Sequence, residues 1–520
     1  MRRRWGGVLA LVAIALATGL PSFVRKPAPR PDEIRLSPSE ARLVANGHVV
    51  RTVPLDPAAR PLRLEALARA IGESGWIDQP IPGVFELHAA LIQEPGTDLL
   101  VGAPAVSELR LLTRPGMQVR ASAAKARFEG VKVTSWDGAK GAPPADHTAA
   151  RPFLLYEDGS RLEVVRSELA YLGYDSRGMS TPGVSWRRKG TTGEAVESTF
   201  HHSFLGAYAS EAERVAFKGN VFRDNERQGL SVRGPASGIV VEANEVFGNG
   251  ADGVLVAGVA DSTLADNRVH ANAGNGITLR GVDRSRVTGN LVEGSGKDGI
   301  VLSGSSANLV RANIARAQRD GVRVDGSSAG NAIEENRLEA TRTGLRLSGR
   351  STGARLTGNQ VDGAPVGVVL DAPGTTMVST TVRAAPLAVD VRRAVSVSQL
   401  VARGAERGVV VRRGARADLD HLDIEASRLG LKIESGGDAS LTRSRLVAQT
   451  PLAGAQLRSS ADNALVAVGD TAPLPWLAAA AILILLLAVG LEMFHSRRNR
   501  AVHDPVGTAR PVRYVTERAA

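Results

Sequence analysis

The chain has 520 residues, enough for several domains, yet it is only 4% aromatic against 56 glycines, thin material for one large globular core. It has no cysteine, which excludes disulfides and thiolate metal sites. The formal net charge of +11 draws on Arg2, Arg3, Arg4, Arg497, Arg498 and Arg500, which flank apolar segments, and so does not argue for nucleic acid as a partner.

In chain order, a basic start (Met1 to Arg4) leads into an apolar run from Trp5 to Leu20, so residues 1–30 are expected to be a signal peptide or an N-terminal signal anchor. Residues 31–83 are expected to cap a solenoid. Within them Leu62 to Ser74 carries Leu62, Leu64, Leu67, Ala68 and Ile71 at the spacing of a short amphipathic helix. Residues 84–458 are assigned to the solenoid and 459–473 to a juxtamembrane linker. Leu474 to Phe494 is long and apolar enough to predict a transmembrane helix, and the basic residues that follow predict a cytoplasmic tail over 495–520. The expected location is the cell membrane, single-pass or double-pass, with residues 31–473 outside.

Between these ends lies a repeat. Glycine followed by alternating apolar residues recurs at Gly183, Gly206, Gly229, Gly253, Gly276, Gly299, Gly321, Gly344 and Gly367, about every 23 residues, and less regularly at Gly408, Gly430 and Gly454. Asn220, Asn244, Asn267, Asn290, Asn313, Asn336 and Asn359 keep the same period. Each asparagine has an apolar residue three places before it and another two places after it, as in Val241-x-x-Asn244-x-Val246. Three short alternating strips per period predict three strands per coil. The asparagines are expected at sharp bends, tolerating left-handed backbone and stacking their amides. Asp252-Gly253, Asn275-Gly276, Asp298-Gly299 and Asp320-Gly321 supply turn chemistry just before a strand. Neither a Leu-x-x-Leu-x-Leu frame nor nine-residue calcium-binding rolls are present. The predicted fold is an all-β, right-handed, single-stranded parallel β-helix with an N-terminal cap and one C-terminal transmembrane helix.

Several stretches together resemble the periplasmic mannuronan (alginate) C5-epimerases and the wider carbohydrate-binding β-helix group. They are Val84-Phe-Glu-Leu-His88, Val131 to Asp137, Ser167 to Asp175, Gly183-Val-Ser-Trp186, Ser198-Thr-Phe-His-His202, Glu211 to Arg214 and Asp298 to Leu302. The resemblance implies proton chemistry at C5 of a uronate polymer, which needs a neutralised carboxylate and groups to remove and return the proton. The family's Asp-Pro-His-Asp motif falls, by the resemblance, on Ser231, Val232, Arg233 and Gly234. The arginine expected one coil later falls on small residues near Ala257 and Gly258. The motif is lost.

On a strand that begins Gly-apolar-x-apolar-x, the third and fifth residues point outward. Those columns offer Arg187, Tyr208, Arg233, Arg280, Arg323 and Arg346, and arginine pairs well with acidic sugars. A solvated face in an arginine-rich protein explains the same columns. His201 and His202, with Arg233, are the candidates for proton transfer. As neighbours on a strand, only one histidine is expected to face the groove. Tyr174 and Asp175 form a further polar cluster with Tyr171. No metal or cofactor is expected. Three functions follow. The first is a membrane-anchored extracytoplasmic protein binding, or modifying, an acidic cell-surface polysaccharide. The second is an active uronan epimerase or lyase with a rewired site, and the third a non-catalytic envelope scaffold with protein partners.

Overall fold

A computed structural model describes residues 31–146, 150–176 and 179–469. Its strands stack into three parallel ladders, one strand of each per coil, as the three apolar strips require. In the first ladder Val184 pairs with Ala207, then Leu230, Val254, Ile277, Ile300, Val322, Leu345 and Val368, which are turns of 22 to 24 residues. Earlier turns are longer: Val119 pairs with Leu154 and Leu154 with Val184. Later ones are shorter, as from Val368 to Val389 and on to Val409. The fold is therefore a parallel β-helix whose period tightens along the chain.

The core is a column of inward residues from all three ladders. Trp186 meets Phe217 edge-on at 5.3 Å, and Phe200 stacks on Phe222 at 5.0 Å. Glycine opens the first-ladder strands because the neighbouring corner leaves no room. A Cβ on Gly229 would sit 2.7 Å from Val246 Cγ1, and one on Gly253 2.6 Å from Val269 Cγ1.

The asparagines stack as expected but not for the backbone reason given above. Each of Asn220, Asn244, Asn267, Asn290, Asn313 and Asn336 donates Nδ2 to Oδ1 of the next asparagine at 2.9 to 3.0 Å. Nδ2 also donates to a core carbonyl, as from Asn267 to Val241 at 2.9 Å. The left-handed position belongs to the residue before: Gly219, Ala243, Asp266, Gly289, Ala312, Glu335 and Gly358. Asparagine is used for an amide that satisfies buried donors and acceptors at once. A second ladder, Asn225–Asn249–Asn272, repeats this one corner further on.

At the N-terminal end, strands Glu33–Leu36, Glu40–Ala45 and His48–Pro54 form an antiparallel sheet, and the first pairs in parallel with Ala90–Gln93. The helix expected over 62–74 is shorter, α1 (Leu64–Ile71). It places Leu64, Leu67 and Ile71 on the open end of the core and stops at left-handed Gly72. Leu62–Arg63 instead pairs in parallel with Asp98–Gly102. At the other end, Ser459–Ala461 and Ala464–Ala467 continue two ladders beyond residue 458.

The membrane anchor is corrected. Among the described residues no helix is long and apolar enough to cross a membrane, and the helix that they do contain spans eight residues. The stretch 474–494 and the start of the chain, 1–30, lie outside the described residues. The transmembrane helix, a membrane partner through it and the single-pass or double-pass location are not carried forward. The apolar length and the basic flank that suggested them are properties of sequence alone.

Candidate functional site

The first-ladder strands Val184–Arg187, Ala207–Ser210 and Leu230–Ser237 floor a cleft of about 600 Å³ on the outer face. Alternation sends Val184, Trp186, Ala207, Ala209, Leu230 and Val232 into the core and leaves Arg187, Tyr208, Ser210 and Arg233 outside. The turns add Pro182, Arg188, Phe204, Leu205, Glu211, Arg227 and Gln228 to the lining. Four guanidinium groups therefore face one carboxylate across a cleft with an aromatic floor.

The guanidinium of Arg187 lies 5.1 Å from the centre of the Tyr208 ring, and that of Arg227 lies 5.9 Å from the Phe204 ring. Burial lowers the pKa of Arg187, and Arg188 lowers it further, against the pull of Tyr208 and Glu157. Arg188 is held by Asp158 at 3.1 Å and by the buried carboxylate of Glu157 at 3.3 Å. Arg233 is exposed, and among the described residues it makes no ion pair.

The other expected residues are distributed differently. His201 ends strand Thr199–His201, which pairs with Glu168–Ala170 and Val221–Arg223 outside the cleft lining. His202 is not a strand residue: its left-handed backbone (φ 51°) turns it back, so both imidazoles meet, Nδ1 to Nδ1 at 2.7 Å. The expectation that neighbouring histidines diverge assumed a continuous strand and is corrected. Tyr171 stacks on His202 at 5.1 Å, and Glu168 lies 3.2 Å from His201 Nε2. Burial lowers the pKa of His201, and Arg223 adds to this against Glu168. Arg151, almost fully buried, donates to the carbonyls of Gly173 and His202, and burial lowers its pKa to about 10. Tyr174 and Asp175 belong to a small antiparallel hairpin, Tyr174–Ser176 with Met179–Thr181, that leads into Pro182.

Arg280 is exposed and, among the described residues, without an ion pair. Arg323 and Arg346 are not available in the same way. Arg323 Nε lies 2.8 Å from Asp298, and its guanidinium also bonds Asp325. Arg346 Nε lies 3.2 Å from Asp320. Asp298 and Asp320 are fully buried and are also held by Arg319 and Arg342. Burial alone would raise the pKa of Asp298, but Arg319 and Arg323 bring it below the usual carboxylate value. These aspartates do more than turn the chain. The aspartate before a glycine reaches the third strand residue of the next coil: Asp252 to Thr278 (2.8 Å), Asp298 to Arg323, Asp320 to Arg346.

Ser231, Val232, Arg233 and Gly234 share strand Leu230–Ser237. Ser231 is fully covered, Val232 is core and only Arg233 reaches the cleft. A Cβ on Gly234 would fall 1.6 Å from the carbonyl oxygen of Gly258, so this backbone admits no side chain there. Among the described residues no group of three or more His, Asp or Glu is placed to hold a metal ion.

Arg188 and Arg227 were not singled out in the sequence, and Glu211 entered only as the start of a stretch that carries the resemblance, not as a site residue. The signal for the first is its adjacency to Arg187. Arg227 and Glu211 sit in turns, outside any strand column, and only the coil geometry brings them in.

A family model described as a right-handed β-helix region matches residues 175–315, 205–361 and 280–382. Mannuronan C5-epimerase AlgG of Azotobacter vinelandii is 31% identical over 198 residues, covering 36% of this chain and 37% of that protein. The mannuronan C5-epimerase of Pseudomonas aeruginosa is 30% identical over 191 residues, covering 33% of each. The matched stretch thus spans just over a third of these relatives' length. In fold, the chain resembles the crystal structure of the periplasmic alginate epimerase AlgG with a TM-score of 0.55 at 18% identity, over 69% of this chain and 82% of that one. The chain is a right-handed parallel β-helix that resembles the periplasmic mannuronan C5-epimerases.

Proposed function

We propose that this β-helix binds an acidic polysaccharide in the arginine-lined cleft and does not epimerise it by the apparatus of the enzymes it resembles. The observation that carries this reading is the gathering of Arg187, Arg227 and Arg233 in one cleft with Tyr208, beside Arg188, which Glu157 and Asp158 already hold. Planar guanidinium groups pair with sugar carboxylates through two hydrogen bonds, and an aromatic ring packs against a sugar face. The sequence relatives act on mannuronan, which makes a uronan the first ligand class to test. Against turnover by the relatives' apparatus stands the lining: it offers no histidine, and Glu211 and Tyr208 are the groups left in it for proton removal and return.

The test is calorimetric titration of the purified full-length chain with mannuronate oligosaccharides, paired with NMR in heavy water. Saturable binding, weakened about two- to fivefold by Arg233→Ala, with no deuterium entering at C5, is the expected result. Deuterium at C5 or an unsaturated sugar end would establish a rewired catalytic site instead. Failure to bind any uronan would leave the envelope scaffold.

A further inference from the structure

Resting on that reading, we infer that the groove face measures the polymer by the disaccharide, offering one arginine for every two sugars across five coils. The fifth strand residues stack in register as Arg187, Ser210, Arg233, Ala257 and Arg280, then Ser303 and Asp325. Arginine therefore stands on every second coil, with a small residue between. Adjacent coils are ~4.8 Å apart, so successive arginines are ~10 Å apart and the set spans ~19 Å.

That spacing has a chemical counterpart. In an extended 1,4-linked uronan, successive sugars are turned over, so their carboxylates alternate between the two sides of the chain. One side then presents one carboxylate per disaccharide. A polymer that alternates a uronate with a neutral sugar presents the same period by composition. Lying along the coils at roughly one sugar per coil, either chain meets Arg187, Arg233 and Arg280 with carboxylates of a single side. The small residues Ser210 and Ala257 leave room for the intervening sugars, and Tyr208 sits between the first two arginines.

The array has a defined end. Beyond Arg280 the column continues as Ser303 and then Asp325, a change of sign. The next outward arginines, Arg323 and Arg346, are neutralised by Asp298, Asp325 and Asp320. The cationic footprint accordingly covers about five sugars and stops.

The experiment is a titration of the full-length chain with mannuronate oligosaccharides of two to eight sugars, and in parallel with hyaluronan oligosaccharides, which carry one carboxylate per disaccharide. Affinity is expected to rise with each added disaccharide, by about two- to fivefold for an exposed charge pair, and to level off at five or six sugars. Equal steps with both ligands place the period in the protein. Steps with mannuronate alone, or hyaluronan alone, identify which polymer supplies it. Arg280→Ala is expected to lower trisaccharide affinity by no more than about twofold, through loss of one of two registers, and to abolish the final step, with an unchanged melting temperature because its side chain is exposed. An affinity that ignores length, or an equal loss at every length in Arg280→Ala, would overturn the disaccharide period while leaving the cleft reading intact. Absence of binding by every anionic oligosaccharide would overturn the cleft reading, and the period with it.

Discussion

Two stretches of one groove face carry arginines of opposite availability. In the earlier coils Arg233 and Arg280 are exposed and make no ion pair among the described residues. In the later coils Arg323 and Arg346 lean on carboxylates that are wholly buried. The difference is set one coil away, at the residue before the glycine. Asp298 and Asp320 meet the third strand residues of the next coil, Arg323 and Arg346, whereas Arg233 and Arg280 stand at the fifth, and Asp252, below the coil of Arg280, is taken up by Thr278. In a solenoid, an arginine's function is thus written partly in the preceding turn. A guanidinium at the position that meets a buried carboxylate is structural, and Arg233 and Arg280 stand two residues further along their strands, outside that reach.

This contrast can be broken or sharpened in four ways. The largest effect is expected from a feature that both stretches share. Asn267→Ala and Asn336→Ala each strip a buried amide from the ladder and leave several backbone and side-chain groups unpaired, costing about 3–5 kcal/mol each. Chemical denaturation should show similar losses for both, and a clear difference would mean that the two stretches differ in the frame as well as in the groove.

Next, Asp298→Asn should cost about 2–4 kcal/mol, less than a fully buried pair because Arg319 and Arg323 are partly exposed. The same change should leave octasaccharide affinity within about twofold, because Asp325 still bonds Arg323, so stability falls without a matching gain in affinity. Asp298 has a lowered folded pKa, so its stabilisation is complete above about pH 4 and is lost as pH falls through the lower folded value. A denaturation series between pH 5 and pH 2 should therefore show a shallower acid loss in Asp298→Asn than in the native chain.

Third, Arg323→Ala should change oligosaccharide affinity less than twofold, because its charge is already cancelled. A loss as large as that from Arg233→Ala would erase the distinction between the two stretches.

The smallest effect concerns the histidine corner. Burial lowers the folded pKa of His201, so the native state resists its protonation. Stability is then present above about pH 6.5, the unfolded value, and declines as pH falls toward the folded one. His201→Gln should remove that decline, by about 1 kcal/mol or less between pH 7 and pH 5, without altering oligosaccharide affinity. A matching change in affinity would bring His201 and His202 into the site.

Much of the fold was legible in the chain itself. The period near 23, the opening glycines and the inward alternation are local properties, because each coil repeats one packing problem and solves it with the same residue types. The asparagine column was legible as a ladder but misassigned in its backbone, since the left-handed residue precedes it and is chemically varied: Ala243, Asp266, Ala312 and Glu335 all serve. The second ladder was also within reach, because Asn225, Asn249 and Asn272 each follow the first column by five residues.

The site was legible only in part. Arg187, Tyr208 and Arg233 could be read from strand position, because alternation decides which side chains leave the core. That His201 and His202 converge at a different corner, that Arg323 and Arg346 are neutralised, and that Arg227 and Glu211 enter the cleft depend on contacts between coils. The sequence by itself determined the repeat and the direction of each strand residue, since both follow from a period of two within a period of 23. Which outward arginines keep their charge for a ligand was decided by tertiary structure alone, because the balancing carboxylate comes from another coil and only stacking puts it within reach.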